Sequence, residues 1–411
     1  MSFGVPAVTL STMLSPAQAE SAIRERVTLM PSHFEPLTDL VGAVLRESIV
    51  ATRDQPPFDR VTMDGIAISS AAAAAGRREF RVAGTQAAGA PQKVLASEDA
   101  CFEVMTGAVL PTGCDCVIPV ERITVTAGSA RLQDDVVPTV SMNVHRRAVD
   151  CTAGSTVLES GTRLGPPEVA VIASAGFARA AVSRSPRIIV ISTGDELIEP
   201  GEPVGDAQIY RSNVYGVLAA LRRRGFAHLA QDHLPDDLNA LRVRLAAHLQ
   251  AHEVVILSGG VSMGKFDYIP QVLAELGVEV VFHKVAQRPG RPMWFGIGAN
   301  GQTVYALPGN PVSTLACLTR YVFPGLAATL GAAPEPVDAV GLAENVEVKV
   351  ALTMFLPVRL AAGEGGYVRA FPRATKGSGD FTSLLGTDGF VELPPGPAVI
   401  PSSTAVPFYR W

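Results

Sequence analysis

The chain has 411 residues, of which 47% are hydrophobic and 18% charged, with a net charge of -5. That length exceeds what one compact core organises, so several domains are expected, and the slight acidity removes the overall electrostatic footprint that nucleic-acid binding requires. Apolar stretches such as 169–178 stop short of the roughly 20 residues of a spanning helix, and the first 14 residues lack the basic start of a signal peptide. A cytoplasmic protein without membrane or nucleic-acid partners is therefore expected.

Taken in chain order, 15–26 (SPAQAESAIRER) predicts a helix, with Ser15 as cap and Pro16 in the first turn. From about 53 to 145 short alternating apolar runs separated by Gly and Pro predict a β-rich domain. More β texture and a short helix at 169–174 follow, and we group 1–52 with 146–184 as a discontinuous helix and linker/β domain. At 187 the period changes. Apolar strands at 187–192, 254–257, 278–282 and 303–307 alternate with helices at 213–224, 237–250, 268–276 and 311–330, the signature of βαβ units with a mostly parallel sheet covered on both faces. That central α/β domain spans 185–332. After the Pro-rich 333–338 the β texture returns, predicting a C-terminal β-barrel-like domain over 333–411.

The five cysteines are odd in number and scattered, as in a reduced compartment. Cys114 and Cys116 read as a metal pair or as half-buried strand residues; with no second Cys or His cluster at ligand spacing, the strand reading is preferred.

Three loops leave the carboxyl ends of predicted strands, where open parallel sheets bind ligands. They are STGDEL (192–197), SGGVSMG (258–264) and LPGNP (307–311). Each reads alone as a tight turn with a helix cap, but three at one edge converge on a site. In them Thr193, Gly194, Ser258, Gly259, Gly260, Val261, Ser262, Gly264, Pro308, Gly309 and Asn310 allow close backbone approach to an anion. Gly259 to Lys265 satisfies GxxxxGK, yet Phe266 replaces the hydroxyl residue of a P-loop, which disfavours an ATP-hydrolysing enzyme.

Asp195, Glu196, Asp236 and Asp267 fall at or near strand ends and read either as solvated loop charges or as oxygen ligands for Mg²⁺. Lys284, Arg288 and Arg291 crowd positive charge onto the stiff KVAQRPGRP turn, suited to an oxyanion. Asp59 and Asp64 on QPPFDRVTMDG, with Thr106 and Asp150, form a remote polar set whose alternative reading is turn formation.

The ordered set PPFDRVTMDG, TGAVLPTGCDCVIPVE, NVHRRAVD, STGDEL, YRSN, SGGVSMGKFDY, RPGRP, LPGNPVS and GSGDFTSLL resembles the molybdopterin molybdenumtransferase family, which includes the gephyrin E domain, over nearly the whole chain. The resemblance implies a multidomain α/β plus β protein whose central three-layer α/β/α domain binds molybdopterin. It implies insertion of molybdate into adenylylated molybdopterin, with Mg²⁺ and release of AMP. Asp195, Glu196, Asp236 and Asp267 are then the metal carboxylates, Glu196, Asp236 and Asp267 acting also in catalysis. The Gly-rich amides hold the pterin side, and Lys284, Arg288 and Arg291 receive molybdate. The family resembled is a homodimer in which the other subunit's β domain completes the site, which implies catalytic roles for Asp59, Asp64, Thr106 and Asp150. A molybdopterin adenylyltransferase upstream and molybdoenzymes or their chaperones downstream are the implied partners.

Two departures stand out. RPGRP replaces the common KPGKP, and 352–355 (LTMF) replaces a stretch in which many relatives carry an Arg before Glu-Phe. They leave open a tungstate-selective variant, and the rival class is a cofactor carrier or gephyrin-like scaffold.

Overall fold

The computed structural model describes residues 13–260, 268–363, 366–373 and 375–411. The central sheet runs in the order Leu229–Leu234, Ile188–Thr193, Val254–Ser258, Thr303–Leu307, Trp294–Ile297, Glu279–His283. Its first four strands are parallel. Alternation along the strands explains the layering, because successive side chains point to opposite faces. Ile188, Val190, Val254 and Ile256 join one core with the helices Asn213–Arg223 and Phe323–Thr329. Ile189, Ile191, Val255 and Leu257 join the other, with Leu238–Ala251 and Ile269–Glu275.

The chain departs from the expected alternation at the far edge. Glu279–His283 pairs antiparallel with Trp294–Ile297, a strand not anticipated from the sequence. The intervening residues are too few for the crossover a parallel return requires, so the chain turns back on itself and the RPGRP turn becomes a hairpin loop. Leu229–Leu234 was likewise not expected, since its LAQDHL sequence is half polar and lies at the sheet edge. The predicted helix 311–330 is three joined pieces, Pro311–Cys317, a π turn Leu318–Val322, and Phe323–Thr329. Pro324 has no N–H for the usual helical bond to Arg320, and the wider turn lies just before it.

The N-terminal β sheet runs Cys116–Pro119, Gly65–Ile68, Ala100–Val104, Glu79–Gln86, Ser129–Leu132, Ile123–Thr126. Between it and the central layer, Ser32–Pro36 pairs with Arg179–Ser183 and Ile49–Val50 with Thr156–Leu158. The helix Pro16–Arg26, which the sequence grouped with these segments, packs elsewhere: Ala19 and Ile23 are fully buried in the central core. Its apolar stripe finds the central helices rather than the β linker. At the C-terminus, Thr353–Ala362, Val368–Pro372, Asp338–Leu342, Ala405–Arg410 and Gly389–Leu393 close into a five-stranded barrel, the last pairing back onto the first.

Arg320, 3% exposed, ties three of these parts together. Its Nε donates to Glu392 of the barrel at 2.7 Å and its Nη1 to Glu20 of the N-terminal helix, while the guanidinium stacks over Tyr409 at 4.8 Å. Among the described residues no helix is long and apolar enough to cross a membrane.

Candidate functional site

The carboxyl ends of the parallel strands open into a cavity of about 1150 Å³ whose other wall is the barrel. Thr193, Gly194, Glu196 and Asp236 line it from one side, Ser258, Gly259, Gly260, Pro308, Gly309 and Asn310 from the loops, and Arg288 and Arg291 from the hairpin. The structure thus brings the three strand-end loops and the cationic turn together. Val261, Ser262, Gly264 and Asp267 lie outside the described residues.

The loops approach so closely that side chains are excluded. A Cβ on Gly259, at φ +104°, would lie 2.9 Å from the Thr193 carbonyl oxygen. Asn213 binds two of the loops together, its amide donating to Ser258 Oγ at 2.9 Å and to the Gly309 carbonyl at 2.7 Å. Its Oδ1 and the Thr193 Oγ1 are buried without a hydrogen-bond partner among the described residues. The Thr193 hydroxyl is covered by Gly259 and Gly260, so it faces the packed loops rather than the open cavity.

Asp195 Oδ1 accepts from the Asp236 backbone N–H at 3.1 Å, which ties the Asp195 carboxylate to the backbone of the Asp236 loop. The Glu196 carboxylate folds over Gly194, where any Cβ would collide with it. Asp195 does not itself line the cavity. Among the described residues no three His, Cys, Asp or Glu side chains converge as a metal cage. Cys114 and Cys116 are buried, and burial pushes both thiols up to about 12, away from the thiolate a metal needs.

The cationic turn is built from beneath. Buried Gln287 donates to the Pro289 and Gly290 carbonyls, each at 3.2 Å, and accepts from the Tyr321 hydroxyl. Gln287 and Arg288 also pair in parallel with Thr353 and Met354 of the barrel, so one short bridge fixes both the turn and the far wall. Arg288 and Arg291 are exposed and form no ion pair among the described residues. Lys284, half-buried at φ +75°, does not line the cavity. A Cβ on Gly290, at φ +91°, would meet Cys317 Sγ at 2.6 Å and Gln287 Nε2 at 2.8 Å. Gly290→Ala is expected to cost about 1–3 kcal/mol and to displace both arginines. Thermal melting checks this, the expected result being a lower melting temperature than that of the wild type.

The remote polar set does not reach this cavity within the chain. Asp59 holds the Arg146 guanidinium at 2.6 Å and the Arg147 N–H at 2.9 Å. Asp64 accepts from the Thr106 N–H and hydroxyl at 2.6 and 2.7 Å, and these two bonds hold its carboxyl below the usual range. Asp150 lies 2.9 Å from His145. Lining groups not among the predicted site residues include Asn213, Arg211, Lys376 and the barrel residues Leu352 and Met354 to Pro357. Asn213 and Arg211 carried a signal as part of YRSN, 352–355 as a departure from the family pattern, and Lys376 only through the neighbouring GSGDFTSLL.

A doubly covered α/β layer whose Gly-rich strand-end loops face a cationic turn and a barrel wall defines a protein that holds an anionic ligand at the carboxyl edge of its sheet. Family models identify the parts: residues 14–176 match the MoeA N-terminal region (domain I and II), 189–328 a probable molybdopterin binding domain, and 339–411 the MoeA C-terminal region (domain IV). The chain is 42% identical over 371 residues to a molybdopterin molybdenumtransferase of Synechocystis sp., covering 90% of this chain and 93% of that one. It is 29% identical to one from Staphylococcus aureus strain MRSA252, covering 93% and 92%. A solved molybdopterin biosynthesis moeA protein from Pyrococcus horikoshii OT3 superposes with a TM-score of 0.80 at 26% identity, covering 97% of this chain and 100% of that one. The chain belongs to the molybdopterin molybdenumtransferase family, the MoeA proteins.

Proposed function

We propose that the protein inserts molybdenum into adenylylated molybdopterin, using molybdate as substrate and releasing AMP. The observation that carries this reading is the juxtaposition of two features in one cavity: a glycine-walled loop edge, and a separate turn with two guanidiniums that form no ion pair among the described residues. The first suits a polar ligand needing close backbone contact. The second suits a small oxyanion. No protein nucleophile is needed, because the ligand's own thiolates bind molybdenum. The chain's work is positioning and charge compensation.

In this reading Thr193, Gly194, Ser258, Gly259, Gly260, Pro308, Gly309 and Asn310 hold the pterin side, together with Val261, Ser262 and Gly264, and Arg288 and Arg291 receive molybdate. Lys284 contributes charge from behind the turn. Asp195, Glu196 and Asp236 form the acidic edge, and Asp267, outside the described residues, is assigned the same role. That donor set fits Mg²⁺, which prefers oxygen ligands and is commonly held by one or two carboxylates plus substrate phosphates rather than by an all-protein cage. Bound there it supplies charge neutralisation to the phosphoanhydride. Asp59, Asp64, Thr106 and Asp150 act on a second copy's cavity in a homodimer, a role supported by their position away from their own cavity and by the exposure of Asp64, Thr106 and Asp150. The adenylylated substrate comes from a molybdopterin adenylyltransferase and the product passes to molybdoenzymes or their chaperones. The five unpaired cysteines suit the cytoplasm.

A single-turnover assay tests the reaction. Purified protein loaded with adenylylated molybdopterin should release one AMP per site on addition of molybdate and Mg²⁺, and a molybdenum-bearing cofactor should form at the same rate. Tight pterin binding without AMP release would instead establish a carrier.

A further inference from the structure

We propose that Lys376 is a third oxyanion-binding residue of this cavity, taking a tetrahedral anionic group, either molybdate or a substrate phosphate; this rests on the reading given under Proposed function. Among the described residues four cations line the cavity: Arg211, Arg288, Arg291 and Lys376. They are not equivalent. Arg211 is 9% exposed, is spent on Glu199 and packs over Tyr215 at 5.9 Å. Arg288 and Arg291 share the hairpin turn. Lys376 comes from the barrel side, where the remaining lining of Leu352 and Met354 to Pro357 carries no charge.

Its position is fixed from both ends. Arg373 N donates to the Pro357 carbonyl at 2.8 Å, holding the start of its segment against the apolar wall. Asn310 Nδ2 donates to Ser378 Oγ at 2.7 Å and Val312 N to the Ser378 carbonyl at 3.1 Å, fastening the end of the segment to the LPGNP loop. Lys376 therefore stands between the barrel wall and the loop edge. Its side chain is exposed and makes no ion pair among the described residues. Asp380, the carboxylate of its own loop, is occupied by the Thr382 hydroxyl at 2.8 Å and by the Ser383 and Lys376 backbone N–H groups at 3.3 Å. The Lys376 charge is felt by Asp380 without a direct ion pair, and an ammonium lining a partly apolar cavity attracts an anion more strongly than one in open water, its compact charge suiting a tetrahedral oxyanion without fixing its rotation.

Isothermal titration of the full chain with sodium molybdate and, separately, with AMP tests the assignment in wild type, Lys376→Gln and Lys376→Arg. Lys376→Gln should weaken one probe by ~10-fold, on the scale of a hydrogen bond to a charged group, and Lys376→Arg should recover most of it. Loss for molybdate identifies the oxyanion as the source; loss for AMP identifies the phosphate. Equal affinity of wild type and Lys376→Gln for both probes overturns the assignment while leaving the cavity reading intact. Loss that Lys376→Arg fails to recover also overturns it, in favour of a structural role. Failure of the wild type to bind either probe removes the cavity reading and this assignment together.

Discussion

Replacing Arg288 by alanine raises the molybdate concentration needed for half-maximal AMP release by roughly 10- to 150-fold, the equivalent of about 1.5–3 kcal/mol for a hydrogen bond to a charged group, while pterin affinity changes little. The asymmetry follows from how the turn is held. Gln287, Cys317 and Tyr321 support the backbone of 287–290 from the interior, and the bridge to Thr353 and Met354 holds it from the barrel. None of these contacts uses the Arg288 guanidinium, so its removal takes away charge and leaves the turn in place. The loop edge of Thr193, Gly259 and Gly309 is assembled by other bonds, chiefly those of Asn213. Initial rates against molybdate, alongside equilibrium binding of the pterin, separate the two. Equal losses in both would mean that Arg288 holds the pterin or the fold. Arg288→Lys, which keeps charge but not the planar fork, should fall between wild type and alanine.

Arg320→Ala destabilises the protein by about 3–5 kcal/mol, because it leaves the partly buried Glu392 without its cation and Glu20 with Arg24 alone. Glu20 and Glu392 are 22% and 18% exposed as side chains. Burial by itself raises the Glu20 pKa, yet the hydrogen bonds and charges of Arg24 and Arg320 outweigh it and hold the carboxyl below its usual value. A carboxyl lowered in the folded state contributes stability above its unfolded pKa, and that contribution is lost as pH falls through the folded value. The triad should therefore be strongest near neutrality, and the wild type should lose more stability than Arg320→Ala as pH falls below about 4.5, the ordinary glutamate value. Urea unfolding at several pH values measures this. An apolar replacement of all three residues should recover much of the loss, since well-packed hydrophobic side chains of similar volume commonly equal a buried ion pair. Because Arg320 joins the central helix to the barrel that walls the cavity, turnover should fall in the alanine variant. An Arg320→Ala protein of unchanged unfolding midpoint would refute the clasp.

What the sequence disclosed follows a physical boundary. The loops after Ile188–Thr193, Val254–Ser258 and Thr303–Leu307 were legible because fully apolar strands ending in glycine and polar residues mark the carboxyl edge of a covered parallel sheet. Local chemistry also disclosed the RPGRP turn. The far wall was not legible in this way. Leu352 to Pro357 has the texture of any strand, and its place beside Arg288 depends on a two-residue pairing between segments distant in sequence. Asn213 read as the first residue of a helix, whereas its function in the structure is to join two other loops. Lys376 sits in a Gly- and Ser-rich segment whose path depends on barrel closure and on Asn310. The antiparallel turn at Glu279–His283 escaped detection for a related reason: apolar periodicity reports that a strand exists but not its direction.

These placements join the departures from the family pattern. The resemblance implies lysines in the cationic turn where this chain has Arg288 and Arg291, and an arginine near 352–355 where this chain is apolar; if the turn receives the oxyanion as proposed, it does so with planar cations.

The central claim is that molybdate binds at Arg288 and Arg291 between the loop edge and the barrel. Anomalous diffraction at the molybdenum edge, from crystals soaked in molybdate, tests it most directly. The account predicts a peak within hydrogen-bond distance of one or both guanidiniums and inside the cavity that also contains Gly259 and Gly309. A fully occupied peak elsewhere, with none at the turn, would contradict it.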